Sequence, residues 1–413
     1  MNILQINYTD QVGGRFTGFY MNNHIKTTDT VEMAVWDKAS SASYVHLIPP
    51  IGYLSKLISR IIMSIGARLG FDGLLGTGGW LMPFYGYFKH ADIIHLHIIH
   101  NYSNISILSL PLLSRLKPIV WTIHDPWAIT GGCEHSFDCN KWLVGCSPIC
   151  PYPRRKSFLN RYLPYVHWKI KQFIYKHSNL TLVVASSWMK SRINQSPLFK
   201  HLPCHQIPFG VDLELFRPRP MIDCLEKFGI PPGSRIIAFR DVGLQVDHFK
   251  GMKWLFEALE IYTPTEPTCL LILQDGASFK KLEPKYSVIA TGWIDGDDLA
   301  CALSVADVFV MPSIQETFGL MAVEAMACGT PVIVFEGTAL PGVIKAPDGG
   351  FVVPSMDSLA LASLFKKILP DPELLKTASA SARIVAEKHY DYSSYLTQHI
   401  KLYHSLLSRD KPL

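Results

Sequence analysis

The sequence predicts an α/β protein made of two doubly wound, Rossmann-like parallel-sheet domains. Short apolar strands alternate with helical stretches along the whole chain, which is the pattern of parallel strands joined by crossover helices. The 413 residues are many for one core and suit two domains of about 200 residues each. A stretch dense in proline and turn residues, Pro208-Phe209-Gly210-Val211-Asp212 through Arg217-Pro218-Arg219-Pro220, separates two sets of strands. Domains of 1–212 and 213–390 follow, with 391–413 as a terminal segment whose residues 392–407 read as a helix. Ligands of two such domains are expected at the carboxyl ends of both sheets, in a central cleft between them.

In the first half the strands are expected at 3–7, 93–97, 119–124 and 180–185. In the second half they are expected at 236–239, 270–273, 288–292, 308–311 and 332–335. Each is a run of Ile, Leu, Val and Phe closed by polar or turn residues, as when Val308 to Met311 ends at Pro312-Ser313. Composition agrees: 48% hydrophobic and 18% charged residues describe a well-buried globular enzyme. A formal charge of +5 is small for this length and gives no argument for a nucleic-acid partner.

Met1 to Asn7 reads as a first strand without a basic leader, so no signal peptide is expected and the location inferred is cytoplasmic. The most apolar region, 47–88, is broken by Lys56, Arg60, Arg68 and Asp72, and it holds no uncharged run long enough to span a bilayer. Within it Leu54, Leu57, Ile58, Ile61, Ile62 and Ile65 fall near helical spacing. The favoured reading is a helix that turns this face to the core. The alternative is peripheral contact with the inner membrane surface, beside a lipid-linked acceptor.

The densest chemistry lies between Gln315 and Gly329. Glu316 and Glu324 stand eight apart, one before a helix and one within it, and Thr317-Phe318-Gly319-Leu320 opens that helix. Unpaired amides and the positive dipole end then make an anion site suited to phosphate, with carboxylates placed to accept from sugar hydroxyls. After strand 236–239, Arg240 and Lys250-Gly251 place cations at a strand's carboxyl end, where they can neutralise a diphosphate without a metal. Gly13-Gly14 follows the first strand, and two glycines let backbone approach a ligand closely.

Trp121-Thr122-Ile123-His124-Asp125-Pro126-Trp127 ends another strand, so His124 can hydrogen-bond a sugar hydroxyl with Asp125 to orient it. His95 and His97 share one face of strand 93–97, and His97 lies nearer its end. Trp293-Ile294 ends a strand as a seat for a nucleotide base. Asp295-Gly296-Asp297-Asp298 reads as a helix cap rather than a metal motif.

Cys133, Cys139, Cys146 and Cys150 cluster with five, six and three intervening residues. A structural zinc, free thiols and a redox-labile pair all remain open for them. The other five, Cys204, Cys224, Cys269, Cys301 and Cys328, are expected as buried thiols.

Glu316 and Glu324, with the Ala325-Met326-Ala327-Cys328-Gly329-Thr330-Pro331 continuation, resemble the E-x7-E motif of the retaining nucleotide-sugar glycosyltransferases of family 4, which have the GT-B fold. The resemblance extends over most of the chain. It implies transfer of a sugar from a nucleoside-diphosphate donor to a hydroxyl of a glycan or lipid-linked acceptor, with retention, in surface polysaccharide biosynthesis. It implies that the second domain holds the donor, with Glu324 at the ribose and amides from Phe318, Gly319, Leu320 and Met321 at the diphosphate. Arg240 and Lys250 would stabilise the departing charge, and Glu316 would hold the donor sugar.

Gly13 and Gly14 would lie over the phosphates, and His124 would reach across from the first domain, with His97 and Asp125 on the acceptor side. Donor phosphate would take the acceptor's proton, and no cofactor is required for catalysis. The terminal helix would pack back on the first domain. One branch of the family has a similar cysteine-rich insertion after the His-Asp-Pro-Trp motif. Two other classes compete: a GT-B epimerase or hydrolase of nucleotide sugars, and a non-catalytic partner subunit. Retention of Glu316, Glu324 and Lys250 together argues against the latter.

Overall fold

The computed structural model describes residues 1–409 apart from 12–16, 22–28, 51, 69–70, 72, 101–102, 148, 151–157, 244–247 and 284. It divides into two compact units, Met1–Ile207 with Tyr395–Leu413, and Pro208–Ser394.

The first unit is built on a seven-stranded sheet ordered β3-β2-β1-β4-β5-β6-β7. Its strands are β1 (Asn2–Thr9), β2 (Thr30–Asp37), β3 (Val45–Leu47), β4 (Ile93–Leu96), β5 (Ile119–Thr122), β6 (Leu180–Val184) and β7 (Cys204–Gln206). All pairings are parallel, with Ile3 opposite Ile93 and Ile94 opposite Ile119. A parallel sheet is covered on both faces, so its central strands read as continuous apolar runs, and β4, β5 and β6 are buried at every position. The terminal helix Tyr392–Arg409 belongs here: Leu402 and Tyr403 are buried, and the Tyr403 hydroxyl reaches His95 of β4.

The second unit carries a six-stranded parallel sheet ordered β10-β9-β8-β11-β12-β13. Its strands are β8 (Arg235–Phe239), β9 (Thr268–Ile272), β10 (Ser287–Ala290), β11 (Val308–Met311), β12 (Val332–Phe335) and β13 (Gly350–Val353). Both sheets are doubly wound. The strand order reverses between β1 and β4 in the first and between β8 and β11 in the second, and such reversals open a crevice at the strands' carboxyl ends.

Four strands lie outside those expected: β2, β3, β7 and β13. β3 and β7 are three-residue edges, and β7 (Cys-His-Gln) has no apolar run because an edge strand need not be buried. Glu32 interrupts the apolar run of β2. Two of the five cysteines expected as thiols, Cys224 and Cys301, form a disulfide between the helices Met221–Phe228 and Gly296–Ser304. Cys204 is half-buried rather than buried. Among the described residues no helix is long and apolar enough to cross a membrane.

The helix Tyr53–Arg68 departs most from expectation. It turns Ser59, Met63 and Gly66 inward, while the Leu and Ile residues expected in the core face solvent.

Candidate functional site

In the second unit the chain leaves β8 at Phe239 and β11 at Met311, on either side of the strand-order reversal. A pocket of about 70 Å³ opens there, lined by Arg240, Lys250, Met311, Pro312, Ser313 and Met321 among others. Lys250 closes a short turn (His248–Lys250) that the backbone ties to the end of β11, since the Phe249 carbonyl accepts from the Ile314 amide at 2.8 Å. Lys250 Nζ then lies 2.8 Å from Glu316 Oε2. The structure thus joins two residues that stand 66 apart in sequence.

Gly251 makes this approach feasible. Its φ is +72°, and a Cβ added there would stand 1.8 Å from the Pro312 carbonyl oxygen. Gly251→Ala is therefore expected to destabilise the protein by about 3 kcal/mol or more, through backbone strain and overlap. A thermal melt within a degree of the parent would refute it.

Arg240 lies against the nucleotide-base candidates. Its guanidinium stacks 4.3 Å from the Trp293 ring centroid, and Nη2 donates to the Ile294 carbonyl at 3.0 Å. Trp293 is 68% exposed, so it is a surface platform and not core. Gly319 caps the helix Leu320–Ala327 with φ of +87°; the Ala322 amide donates to the Gly319 carbonyl at 3.0 Å, and the Leu320 and Met321 amides precede the first helical acceptor. The Phe318 side chain is buried between Phe209 and Tyr390, with ring centroids 5.0 and 5.8 Å away. Its contribution to a ligand is therefore confined to backbone.

Glu324, the helix's fifth residue, is fully buried. A ribose hydroxyl would reach it only after a neighbouring side chain moves. Asp295 caps the next-preceding helix through the Gly296 amide at 2.9 Å, Asp297 pairs with Arg219 at 2.7 Å, and Asp298 pairs with Lys227. Asp295 is thus the helix cap, while Asp297 and Asp298 stand in the first turn and are engaged in ion pairs.

In the first unit His97 follows β4 and His124 follows β5. His97 Nδ1 lies 3.1 Å from His124 Nε2, and His97 Nε2 lies 2.6 Å from Gln5 Oε1 on β1. Gln5 Nε2 in turn donates to Met21 Sδ at 3.2 Å. A thioether can only accept, so Gln5 presents its carbonyl oxygen to His97. His97 then carries its proton on Nε2 and accepts at Nδ1 from His124 Nε2–H. Burial pushes the His124 imidazole down to about 4 and that of His97 well below its ordinary value, so both are neutral at pH 7.

His97 thus bonds His124, and the charge of Asp125, which the sequence pointed to, acts on the same ring. Asp125 bonds His100 Nε2 at 3.1 Å and the Trp127 amide at 2.7 Å. Burial alone would raise the Asp125 carboxyl, but the His100 charge and hydrogen bond, with the Trp127 amide, hold it below the usual carboxylate range. His95 is also fully bonded, to Tyr403 at 2.6 Å and Thr122 at 2.7 Å.

Behind the loop after His124, fully buried Lys171 donates to the Trp127 and Thr130 carbonyls at 2.5 and 3.0 Å. Cys133, Cys139, Cys146 and Cys150 are free thiols. A hydrogen bond that the Cys133 thiol donates to Cys150, together with burial, raises the Cys133 thiol, while burial pushes Cys146 up to about 11. Among the described residues no group of three or more His, Cys, Asp or Glu is placed to hold a metal ion. Gly13 and Gly14 lie outside the described residues.

Sequence reasoning missed Gln5, Lys171, Tyr403 and Ser313. Gln5 had a legible signal, a fully buried amide within the apolar run of β1. Ser313, 1% exposed, lines the Arg240–Lys250 pocket, and its hydroxyl has no hydrogen-bond partner among the described residues.

Residues 242–371 match the family model described as group 1 glycosyl transferases. The chain is 25% identical over 301 residues to the MMP alpha-(1->4)-mannosyltransferase of Mycolicibacterium hassiacum, covering 71% of this chain and 66% of that protein. It is 41% identical over 197 residues to a D-inositol 3-phosphate glycosyltransferase of Streptomyces bingchenggensis, covering 43% of each. The chain thus spans between about two fifths and two thirds of the length of these curated relatives. Among solved structures, sucrose-phosphate synthase of Thermosynechococcus elongatus superposes with a TM-score of 0.69 at 20% identity, covering 99% of this chain and 100% of that one. The fold is that of the GT-B glycosyltransferases, and the resemblance read from Glu316 and Glu324 stands.

Proposed function

We propose that the protein is a retaining glycosyltransferase that moves a sugar from a nucleoside-diphosphate donor to a hydroxyl of a glycan or lipid-linked acceptor. The observation that carries this reading is the pocket at the β8/β11 reversal, where Arg240, the Lys250–Glu316 pair and the Ser313 hydroxyl converge. The named activities of the group 1 relatives support it.

Arg240 and Lys250 offset the charge that grows on the diphosphate as the glycosidic bond breaks, and amides at the start of the helix Leu320–Ala327 add to this. Ser313 donates to a phosphate oxygen. Trp293 offers an apolar platform to the base. Glu316, paired with Lys250, accepts from donor-sugar hydroxyls, and Glu324 accepts from the ribose. His124, fixed as a neutral tautomer, hydrogen-bonds a substrate hydroxyl. The acceptor's proton passes to a donor phosphate oxygen, so the chain needs no general base of its own and no catalytic metal.

The test is a thermal-shift screen of nucleotide sugars. A matched donor at a hundred times its Kd should stabilise the fold by about 2.7 kcal/mol. Transfer with that donor should persist in chelator and give a product of the donor's anomeric configuration by NMR. Stabilisation by no nucleotide sugar refutes the reading. Loss of turnover in chelator, restored by manganese or magnesium, refutes its metal-independent part.

A further inference from the structure

We propose that the solvent-facing side of the helix Tyr53–Arg68, with the apolar groove next to it, docks on the surface of an anionic lipid bilayer. A surface helix ordinarily buries its large apolar side chains and exposes polar ones. This helix does the reverse. It buries Ser59, Met63 and Gly66, while Leu54, Leu57, Ile58, Ile61, Ile62 and Ile65 are each 36–68% exposed. At 100° per residue, Leu57, Ile61 and Leu54 sit opposite the inward face, and Ile65, Ile58 and Ile62 continue the stripe to one side. Solvating such a stripe costs free energy that an apolar environment would return.

Charge indicates which environment. The helix carries Lys56, Arg60 and Arg68 and no acidic residue, and none stands anywhere between Asp37 and Asp72. Aliphatic side chains on one face, with Arg60 at its border and Arg68 within it at the helix's last residue, match the acyl–headgroup boundary of an anionic membrane, where the helix lies in the plane and long basic side chains reach the headgroups.

The surface continues beyond the helix. Gly66 packs so closely on Leu75 that an added Cβ would meet its side chain at 2.8 Å. Leu75 in turn walls an open groove of about 540 Å³ with Leu108, Val166 and Phe173, all exposed, and with Lys169. Such a groove can take part of an acyl or isoprenoid chain. Docking does not depend on the transferase reading. The corollary that the acceptor is lipid-linked rests on it.

The test is cosedimentation of the full chain with vesicles of phosphatidylcholine, alone or mixed equally with phosphatidylglycerol. The bound fraction is expected to rise on the order of tenfold with the anionic lipid and to fall in about 0.5 M salt. Ile61→Asp with Ile65→Asp should reduce binding at least tenfold on both vesicles, since apolar burial drives insertion. Arg60→Gln with Arg68→Gln should remove only the anionic increment. These side chains are exposed, so melting temperatures should match the parent. An unchanged thermal shift with the nucleotide sugar in the Ile61/Ile65 variant would show that membrane docking and donor binding are separate. No binding of the parent to either vesicle would overturn the proposal, as would undiminished binding of the Ile61/Ile65 variant. A lipid-free dimer dissolved by those substitutions would also overturn it and would assign the face to a second copy.

Discussion

Lys250→Ala is expected to lower the rate of sugar transfer at least a hundredfold while leaving the protein folded. Lys250 is the cation that the structure brings to the pocket beside Arg240, 2.8 Å from Glu316. Preorganised charge aimed at a developing anion commonly contributes about 3–4 kcal/mol to the transition state, equivalent to a factor of 10² to 10³. Its stability effect should be small, because the Lys250–Glu316 side chains keep 31% and 16% of their exposure and a partly solvated pair contributes about 1 kcal/mol or less.

Glu316→Ala should match the rate loss, since Glu316 holds Lys250 and, in the proposed reading, meets the donor sugar. The informative measurement is kcat against KM. A contact made mainly in the transition state lowers kcat with little change in KM. Near-parental kcat in a folded Lys250→Ala protein would remove the phosphate role from this residue.

Mild acid is expected to unfold the first unit. His124 and His399 are each held down at about 4 by burial, and burial holds His95, His97 and His167 well below their ordinary value, all within that unit. A depressed histidine contributes its full stability above its unfolded value of 6.5, and that contribution is lost as pH falls toward the folded value. At about 1.4 kcal/mol per pH unit, each of the two histidines near 4 could remove on the order of 3 kcal/mol between pH 6.5 and 4. Domain stabilities are about 5–15 kcal/mol, so the loss is decisive.

The buried carboxylate Asp10, held low although burial opposes it, loses its contribution only below its ordinary value near 3.8, outside this window. Urea unfolding followed from pH 7.5 to 4.5 should show the midpoint falling steeply below 6.5, with His97→Asn shallower than the parent. A flat midpoint over that range would mean that these rings are already protonated or hydrated.

The central strands were legible because a parallel sheet writes itself as largely apolar runs, and β8, β11 and β12 were read on that basis, as were β4 and β5 although His95 and Thr122 enter them. Edge strands β3 and β7 lack such runs, and that of β13 is only Phe351 to Val353. Lys250, Gly251 and Glu316 could be named individually, yet their meeting depends on a crossover of more than sixty residues that no local pattern specifies. The helix at 53–68 shows the limit most plainly. Periodicity establishes that one face is apolar, but which way that face turns is decided by the small residues Ser59 and Gly66 that admit close packing on the other side. The histidine relay was half visible, since His97 and His124 were read separately and Gln5 joins them only through the register of β1 with β4.

The first unit is not finished by the chain that begins it. Tyr403 hydrogen-bonds the central strand β4 and Tyr395–Leu413 completes the same compact body, while the second unit is continuous from Pro208 to Ser394. During synthesis, the unit begun second is therefore completed first. The opening two hundred residues must wait, with His95 and one flank of their sheet uncovered, until the whole of the other unit has been translated. At about 5–20 residues per second that interval is roughly ten to forty seconds. Throughout it, the order of translation leaves the first unit an incomplete nascent body in need of protection from aggregation.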